Sequence, residues 1–459
     1  MTSRETIAAI ATPTGRGGVG IVRVSGDEAR SILGRLVPDW PDETPAHKLR
    51  LSNIRDLDGE LIDESLAVYM PGPRSFTGED IVEFQCHGGP IILRRVLDAT
   101  LEAGARTAEP GEFTRRAFLN ERLDLTQAEA VADLVNATTE RAHEMALEHL
   151  RGSLGDEITE LVETLTEAVV LVEAAIDFSH EEHVYQIESD EVGQRIVDVY
   201  ERLTKLREQF DRGRRRREGV QTVILGPTNA GKSTLFNALH GTERAIVTDV
   251  AGTTRDFLEE QLHFGKTAIR LIDTAGLRAT DDHVESIGIE RSLEQGEQAD
   301  LVIWVVDRTR PMIDDERDQL QQLADEPRPV IVVVNKADQP DELTDEDRNL
   351  LDRFDHRFDT DLTADPPGGL DKLTDRLESL AAELTDGEGV LLSRARHLEG
   401  VVDAIESIER ARRGLEMQME HELIAIDLRD ALDALGAITG RVDTEDILER
   451  IFSEFCVGK

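Results

Sequence analysis

The sequence predicts a multidomain α/β protein, in which a doubly wound parallel sheet is inserted into a helical domain that follows an N-terminal α+β domain. Three observations predict this fold class. At 459 residues the chain is too long for one ordinary hydrophobic core. Apolar strands alternate with helical segments from Val220 to about Leu384, as they do in parallel sheets. Helical periodicity flanks this block on both sides, so we expect the two helical halves to pack together.

The elements follow in chain order. The first domain mixes short strands with turn-rich segments, and its predicted strands are 21–24, 66–70 and 81–84. Apolar residues then recur at i, i+3 and i+4 in the helical stretches 158–176, 398–408 and 424–435. The strands predicted for the inserted sheet are 220–225, 269–272, 301–306 and 330–334. The predicted domains are 1–122 (α+β), 123–217 (helical, first half), 218–384 (doubly wound, inserted) and 385–459 (helical, second half).

Composition indicates a protein of a reducing cytoplasm. The two cysteines, Cys86 and Cys456, cannot form a disulfide framework. No signal-like apolar segment follows Met1, and no apolar run approaches the roughly 20 residues that span a bilayer. With 52 basic and 94 acidic residues the net charge is −42, which argues against a general nucleic-acid coat and fits a salt-rich cytoplasm. We therefore expect a cytoplasmic protein with no membrane segment and only local contacts with RNA.

One basic cluster, 212–217, lies where the inserted block begins. It could contact RNA phosphate, or it could be a solvated linker that pairs with neighbouring carboxylates. The linker is favoured because no aromatic residue for base stacking lies nearby. The acidic stretch 338–347 is expected to be a solvated loop and a helix cap.

A phosphate-binding loop lies between the first strand of the block and the next helix. Residues 226–234 read Gly-Pro-Thr-Asn-Ala-Gly-Lys-Ser-Thr and fit G-x-x-x-x-G-K-[ST]. Small residues let backbone N–H groups approach phosphate oxygens, and the helix N-terminus adds its positive dipole. Lys232 is expected to bridge the outer phosphates, and the Ser233 hydroxyl to coordinate Mg²⁺. The nucleotide-binding residues predicted here are Asn229, Ala230, Gly231, Lys232, Ser233 and Thr234.

Two further segments surround the phosphates. Asp273-Thr274-Ala275-Gly276 follows a strand and supplies a D-x-x-G carboxylate for the Mg²⁺ shell and an amide that senses the γ-phosphate. On the preceding loop a threonine hydroxyl is expected to join the metal, and Thr254 is assigned to Mg²⁺ with Ser233. The residues predicted on this loop are Thr248, Asp249, Val250, Ala251, Gly252, Thr253 and Thr254.

The base is identified by Asn335-Lys336-Ala337-Asp338, which closes another strand. The Asp338 carboxylate can accept hydrogen bonds from the ring N–H and the exocyclic amine of guanine, which adenine cannot supply in that geometry. Thr363-Ala364 stands where a backbone contact to the base is expected. The predicted ligand is GTP.

The residue that orients the attacking water is not obvious from the pattern. Many GTPases carry a glutamine directly after D-x-x-G, but this chain has Leu277 there. The local polar candidates are Arg278, Asp281, Asp282 and Glu285, and composition alone does not choose among them.

Taken end to end, the chain resembles the MnmE (TrmE) family of tRNA modification GTPases. Motifs outside the GTP segments carry much of the resemblance, because other GTPases of the superfamily lack the two ends. The motifs are 12–20 (TPTGRGGVG), 76–80 (FTGED), 87–90 (HGGP), 110–113 (PGEF), 123–130 (LDLTQAEA), 251–256 (AGTTRD) and 455–459 (FCVGK).

The resemblance implies a homodimer that joins the flavoprotein MnmG in a heterotetramer and acts on certain tRNAs. The implied chemistry is K⁺-dependent GTP hydrolysis coupled to addition of a carboxymethylaminomethyl-type group to C5 of the wobble uridine. A formyl- or methylene-tetrahydrofolate is implied as the one-carbon source. The implied folate contacts are Arg23, Glu83, Arg122 and Lys459.

The resemblance also assigns roles near the GTP. It implies K⁺ ligands at Asn229, Thr248, Val250 and Thr253. It gives Glu285 the water-orienting role and Cys456 the role of a catalytic thiol. For Cys456 the alternative is an ordinary buried cysteine.

Two functions remain open on the sequence. The first is an enzyme subunit of tRNA wobble-uridine modification, and the second is a GTPase switch in ribosome assembly without modification chemistry. Both fit the GTP motifs. The folate-like N-terminal domain and the cysteine near the C-terminus favour the first.

Overall fold

The computed structural model describes residues 5–41, 45–177, 182–241, 259–272, 299–387, 389–441, 445–453 and 455–458. Two compact units are present. The first comprises Met1–Val135, Glu148–Tyr200 and Gly400–Lys459, and the second comprises Asn136–Leu147 and Glu201–Glu399. The domain boundaries given above stay predictions.

In the described ranges the helices are α1 (Ala29–Leu36), α2 (Pro90–Glu102), α3 (Glu112–Leu119), α4 (Leu125–Asn136), α5 (Glu140–Leu150), α6 (Ser153–Asp177), α7 (Glu182–Glu208), α8 (Phe210–Glu218), α9 (Lys232–His240), α10 (Asp314–Ala324), α11 (Asp345–Leu351), α12 (Leu370–Thr385), α13 (Ala395–Glu416), α14 (His421–Thr439) and α15 (Glu445–Ser453). The strands are β1 (Ile7–Ile10), β2 (Gly20–Ser25), β3 (Arg50–Arg55), β4 (Leu61–Met70), β5 (Ile81–Cys86), β6 (Arg106–Thr107), β7 (Val220–Leu225), β8 (Glu259–Phe264), β9 (Thr267–Ile272), β10 (Leu301–Asp307), β11 (Val330–Asn335) and β12 (His356–Thr360).

The first unit contains a sheet with the strand order β3-β4-β5-β2-β1-β6. Neighbouring strands are antiparallel except for β1 and β6. Alternation along the strands sends Val22, Val24 and Phe84 into a core under α1 and α2. The opposite face carries Ala9 and the Phe113 ring of α3. The three strands predicted in this domain are confirmed.

The helical part of the first unit is built from segments on both sides of the inserted sheet. Leu161 and Leu165 on α6 are fully buried, as is Leu428 on α14, and the two helices pack along each other. The stripe of apolar residues explains why these segments form amphipathic helices. Their packing confirms that the two helical halves come together.

The second sheet has the order β12-β11-β10-β7-β9-β8, and only β8 runs antiparallel to its neighbour. Its central strands β10 and β11 are almost continuously apolar, because both of their faces are covered. Leu235 of α9 and Leu373 of α12 pack on one face, and Leu320 of α10 and Leu351 of α11 pack on the other. The predicted strands and the doubly wound architecture are confirmed.

The basic cluster 212–217 forms most of α8 and is engaged with protein groups. Arg214 and Arg215 both donate to Asp300 Oδ1, at 2.5 and 2.8 Å. Arg216 Nε donates to Thr385 O at 2.7 Å, and Arg217 donates to Ser393 O at 3.0 Å. The interpretation as a carboxylate-pairing segment is therefore correct, but the segment is a packed helix rather than a solvated linker.

The acidic stretch 338–347 ends in a buried carboxylate. Thr344 caps α11, and its Oγ1 accepts a hydrogen bond from the Asp347 N–H at 3.1 Å. The helix cap is confirmed, but the expectation of a solvated stretch is wrong for Asp347, which is 0% exposed. The carboxylate has partners inside the protein, because Arg317 Nε of α10 donates to Asp347 Oδ1 at 2.8 Å and the Thr344 N–H donates to Oδ2 at 2.9 Å.

Candidate nucleotide site and N-terminal ligand face

The predicted nucleotide segments meet at one edge of the second sheet. Parallel strands share their carboxyl edge, and the register aligns Asp307 with Asn335 and Asn335 with Thr360. The phosphate-binding loop follows β7 at this edge, and the segment 335–338 begins at Asn335, the last residue of β11. The segments 248–254 and 273–276 and the residue Glu285 lie outside the described residues.

The turn of the phosphate-binding loop depends on two glycines. Gly226 has φ +134°, and a Cβ there would lie 2.3 Å from Val305 O. Gly231 has φ +104°, and a Cβ there would lie 2.2 Å from Asn335 Nδ2. Any side chain at either position would strain the backbone and push the loop off the sheet.

Lys232 points back into this loop. Its Nζ donates to Gly226 O and Pro227 O, each at 2.8 Å. Burial lowers the pKa of the Lys232 ammonium, since desolvation disfavours the charged form. The first N–H groups of α9 begin at the same residue, with no acidic side chain in the first turn. The loop can therefore bind an anion through its backbone N–H groups and the Lys232 ammonium. Charged phosphate oxygens are stronger hydrogen-bond acceptors for this ammonium than the two carbonyl oxygens that it contacts here.

Asn335 ties the phosphate loop to the strand that precedes Asp338. Its Nδ2 donates to Ala230 O at 2.8 Å, and its Oδ1 accepts from Thr360 Oγ1 at 3.2 Å. The Ala337 N–H donates to Thr360 O at 2.9 Å. The side chains of Asp338 and Asn229 remain exposed at this edge, whereas Ser233 is partly buried.

The loop expected to contact the base through its backbone is organised by Asp361. The Asp361 Oδ1 atom accepts from the N–H groups of Thr363 and Ala364, at 3.1 and 3.2 Å, and from Thr363 Oγ1 at 2.9 Å. Thr363-Ala364 thus lies at the predicted edge, but both amides already have a partner.

Two of the predicted folate contacts, Arg23 and Glu83, meet in the first unit. They face each other across β2 and β5, and Arg23 Nε donates to Glu83 Oε1 at 2.8 Å. The Arg23 guanidinium also lies 5.7 Å from the Phe76 ring centroid and 5.6 Å from that of Phe113. This arrangement presents a cation, a carboxylate and aromatic surface on one face of the sheet.

Ion pairs centred on the buried carboxylate of Glu112 adjoin this face. Glu112 accepts from Arg106 Nη2 at 2.7 Å and from Arg116 Nη2 at 2.9 Å. Arg116 reaches Glu79 Oε2 at 2.9 Å with its other terminal nitrogen, and Ser25 donates to the same oxygen. Burial alone would raise the pKa of Glu112, but hydrogen bonds from Arg106, the Glu109 N–H and Arg116 outweigh it and lower the pKa to about 2. Glu79 and Glu112 of the motifs 76–80 and 110–113 are therefore parts of a scaffold.

Arg122 and the C-terminal tail border the same domain. Arg122 Nε donates to Ser75 O at 3.2 Å, in the loop that carries Phe76. Val457 pairs with Pro110, and a Cβ at Gly458 would lie 2.4 Å from Ile10 O. The tail is therefore held against the first sheet, while Lys459 lies outside the described residues.

Cys456 is exposed, so the alternative of a buried cysteine is wrong. The other cysteine, Cys86, is buried, and desolvation raises the pKa of its thiol to about 12. In the described ranges the exposed thiol near the C-terminus is thus the one available for chemistry.

Sequence reasoning missed the two rings that flank Arg23. Phe76 and Phe113 belong to the motifs 76–80 and 110–113, and this membership was the only sign in the sequence that they matter. The sequence around each ring does not predict a contact with a residue on β2. Among the described residues no group of three or more His, Cys, Asp or Glu side chains is arranged to hold a metal ion. Nor is any helix of the described ranges long and apolar enough to cross a membrane.

A phosphate loop that turns on two glycines after β7, and an Asn-Lys-x-Asp segment at the end of β11 in a doubly wound sheet, define a P-loop GTPase. Comparison with known proteins agrees. The family model "MnmE helical domain" matches residues 125–456, and the model "GTP-binding protein TrmE N-terminus" matches residues 6–122.

Three curated relatives are all called tRNA modification GTPase MnmE. The proteins of Pseudomonas entomophila and Erwinia tasmaniensis are each 44% identical, over 100% of both chains. The protein of Pseudomonas syringae pv. tomato is 43% identical over 99% of both chains. The chain belongs to the MnmE (TrmE) family of tRNA modification GTPases, and it is a GTP-hydrolysing enzyme.

Proposed function

We propose that this GTPase acts with the flavoprotein MnmG to add a carboxymethylaminomethyl-type group to C5 of the wobble uridine of certain tRNAs. The observation that carries the proposal is the N-terminal face, where Arg23, Glu83 and two phenylalanine rings meet in a domain that a simple GTPase switch does not need. Similarity to tRNA modification GTPases over the full length supports it.

The deciding experiment is mass analysis of tRNA nucleosides after deletion of the gene. Loss of the C5 substituent from wobble uridine, restored by the parent gene, is the expected result. Unmodified nucleosides should also persist when the gene is restored with an Arg23→Ala substitution. Wobble uridines that are unchanged by deletion would instead favour a GTPase switch in ribosome assembly.

The face at Arg23 and Glu83 fits a tetrahydrofolate that carries a formyl or methylene group. Glu83 can accept hydrogen bonds from the N–H groups of a pterin edge, and the exposed part of Phe76 offers a surface for the ring. Arg122 and Lys459 would provide cations for the glutamate tail. When bound, the folate would supply the one-carbon unit, while these residues hold it.

The same sheet face supports a homodimer. Leu51 pairs with Leu66 across β3 and β4, and strand alternation places both on the face of Glu83. Both leucines are exposed, at 62% and 37%. A second copy would cover them and enclose the ligand face. Sedimentation velocity should show a dimer for the parent and a monomer for Leu51→Arg, whereas a dimeric Leu51→Arg variant would contradict this surface.

At the nucleotide edge we propose Mg²⁺ at Ser233 and Thr254, and K⁺ at Asn229, Thr248, Val250 and Thr253. Asn229 supports the K⁺ assignment, because it is exposed on the loop in a left-handed conformation with φ +61°. Hydrolysis is expected to be fast in K⁺ and slow in Na⁺ at equal ionic strength, since a cage of fixed oxygens discriminates by ion size. Equal rates in the two salts would remove the K⁺ site.

A further inference from the structure

Asp307, the last residue of β10, is a buried carboxylate that belongs to none of the GTP motifs. Its Oδ1 accepts from the Thr309 N–H at 3.0 Å and from Thr309 Oγ1 at 2.7 Å. Its Oδ2 accepts from Lys336 Nζ at 2.5 Å. Only 8% of the residue is exposed. Every polar atom of the Asp307 side chain is thus engaged, and one of its partners lies in the base-recognition segment.

The carboxylate is ionised opposite the ammonium. Burial by itself would raise the pKa of Asp307, but hydrogen bonds from Lys336 and Thr309 lower it further than burial raises it. The contact is therefore a shielded ion pair, which solvent screens less than a pair on the surface.

Lys336 has an unusual backbone conformation. Its φ is +65°, in the left-handed region that a lysine seldom adopts because Cβ approaches the following carbonyl oxygen. The residues on either side are fixed by other hydrogen bonds, because Asn335 Nδ2 donates to Ala230 O and the Ala337 N–H donates to Thr360 O. The reversal of the chain at Lys336 determines where Asp338, two residues later, projects.

We propose that Asp307 is a positioning residue for guanine specificity, because its ion pair with Lys336 maintains the left-handed turn that aims the Asp338 carboxylate at the base. The inference rests on the assignment of Asp338 as the guanine acceptor. A carboxylate that accepts two parallel hydrogen bonds tolerates little change of angle. A more mobile turn at Lys336 should therefore weaken binding of the base while leaving binding of the phosphates unchanged.

The test is Asp307→Asn in the full-length protein. Asparagine keeps the volume and an acceptor for Thr309 but removes the charge that holds Lys336. The Kd of GDP is expected to rise about tenfold, the loss of roughly one well-aligned hydrogen bond to a charged group. The value of kcat at saturating GTP should stay within about threefold, because the phosphate loop is untouched.

Specificity provides a readout that a purely structural role would not change. Inosine diphosphate lacks the exocyclic amine of guanine, so the parent should prefer GDP and Asp307→Asn should lose most of that preference. Asp341→Asn is the matched control, since Asp341 pairs with Arg308 in the neighbouring loop at 3.1 Å and should leave the preference unchanged.

A double-mutant cycle shows whether Asp307 acts through Lys336. In a Lys336→Met background, Asp307→Asn should produce no further rise in the Kd of GDP. An equal further rise in that background, or an unchanged ratio of GDP to inosine diphosphate affinity in the single variant, would overturn the positioning role.

The Asp338→Asn variant shows whether a negative result for Asp307 refutes the positioning role or the assignment of the base site. A shift of that variant towards xanthosine diphosphate would uphold the guanine site, so that a negative Asp307 result would then refute the positioning role alone. An unchanged Kd of GDP in Asp338→Asn would show that the base site is misplaced, and it would overturn both assignments.

Discussion

The nucleotide edge and the N-terminal ligand face present charged groups by different means. At the nucleotide edge the geometry is set mainly by backbone: two glycines with positive φ turn the loop, and one side-chain amide, that of Asn335, fixes it to the end of β11. At the N-terminal face it is set by side chains, because Arg23 lies against two rings, while Glu112 pairs with Arg106 and Arg116 pairs with Glu79 to hold α3 in place. A backbone site survives exchange of many side chains, whereas a side-chain site depends on each member.

The largest expected effect concerns the side chain of Glu285, which is assigned to the nucleotide site. Glu285→Ala should lower kcat for GTP by roughly two to four orders of magnitude, because the chemistry needs an acceptor for the attacking water and Leu277 cannot provide one. The affinity for GTP should hardly change, since the residue is assigned to neither the base nor the ground-state phosphates. Single-turnover hydrolysis in saturating K⁺ measures it.

Asp281→Ala and Asp282→Ala are the controls for Glu285. Both should lose much less activity than Glu285→Ala. Hydrolysis by Glu285→Ala at the parent rate would show that another group orients the attacking water. An inactive Asp281→Ala would assign that role to Asp281.

The next effect tests the side-chain scaffold of the N-terminal face. Glu112→Gln should destabilise its domain by about 3 kcal/mol at pH 7, the linkage value of a pKa lowered from 4.5 to about 2. Since the pKa is lower in the folded state, this stabilisation is complete above the unfolded value of 4.5 and is lost as the pH falls towards 2. The difference between parent and variant should therefore shrink across that window.

Urea unfolding can follow this domain separately. The chain has two tryptophans, Trp40 in the first core and Trp304 on β10, so a Trp304→Phe background leaves Trp40 as the reporter. Glu102→Gln, an exposed residue of α2, serves as the control and should unfold like the parent. A parent-to-variant difference that is constant between pH 7 and pH 3 would mean that Glu112 is not the ionised partner.

The smallest effect concerns the ligand itself. Arg23→Lys keeps the charge but loses the planar contact with Phe76 and Phe113 and the directed hydrogen bond to Glu83. The Kd of 5-formyl-tetrahydrofolate, measured by calorimetry, should rise about tenfold. Arg94→Lys on α2, whose side chain is largely exposed, should bind like the parent. Equal affinities for the parent and Arg23→Lys would place the folate elsewhere.

The two regions also differ in how far the sequence predicted them. Strands such as 301–306 and 330–334 were recognisable because a sheet covered on both faces requires continuous apolar runs. The edge strand β12, with the sequence His-Arg-Phe-Asp-Thr, gave no such signal, because exposed residues alternate in it with partly buried ones and only Thr360 is buried. The phosphate loop was predictable since its function needs a contiguous segment with glycines at fixed spacing.

The missing parts depend on contacts between distant residues. The ring of Phe113 reaches Arg23 through the packing of α3 on the first sheet, and the buried Asp347 carboxylate finds its counter-charge in Arg317 of α10. Asp307 belongs to the same category, since its partner Lys336 follows the neighbouring strand. Local pattern has no access to such pairs, although each residue was visible in the sequence.

The internal contacts of the α8 arginines affect the rate at which the protein associates with an RNA. Arg214 and Arg215 are committed to Asp300, and Arg216 and Arg217 to backbone carbonyls, so the densest run of positive charge in the chain is occupied internally. With a net charge of −42, the protein and an RNA repel each other during diffusion. The association rate constant for tRNA should consequently rise when salt is added, opposite to the behaviour of proteins whose cationic surfaces release counterions on binding.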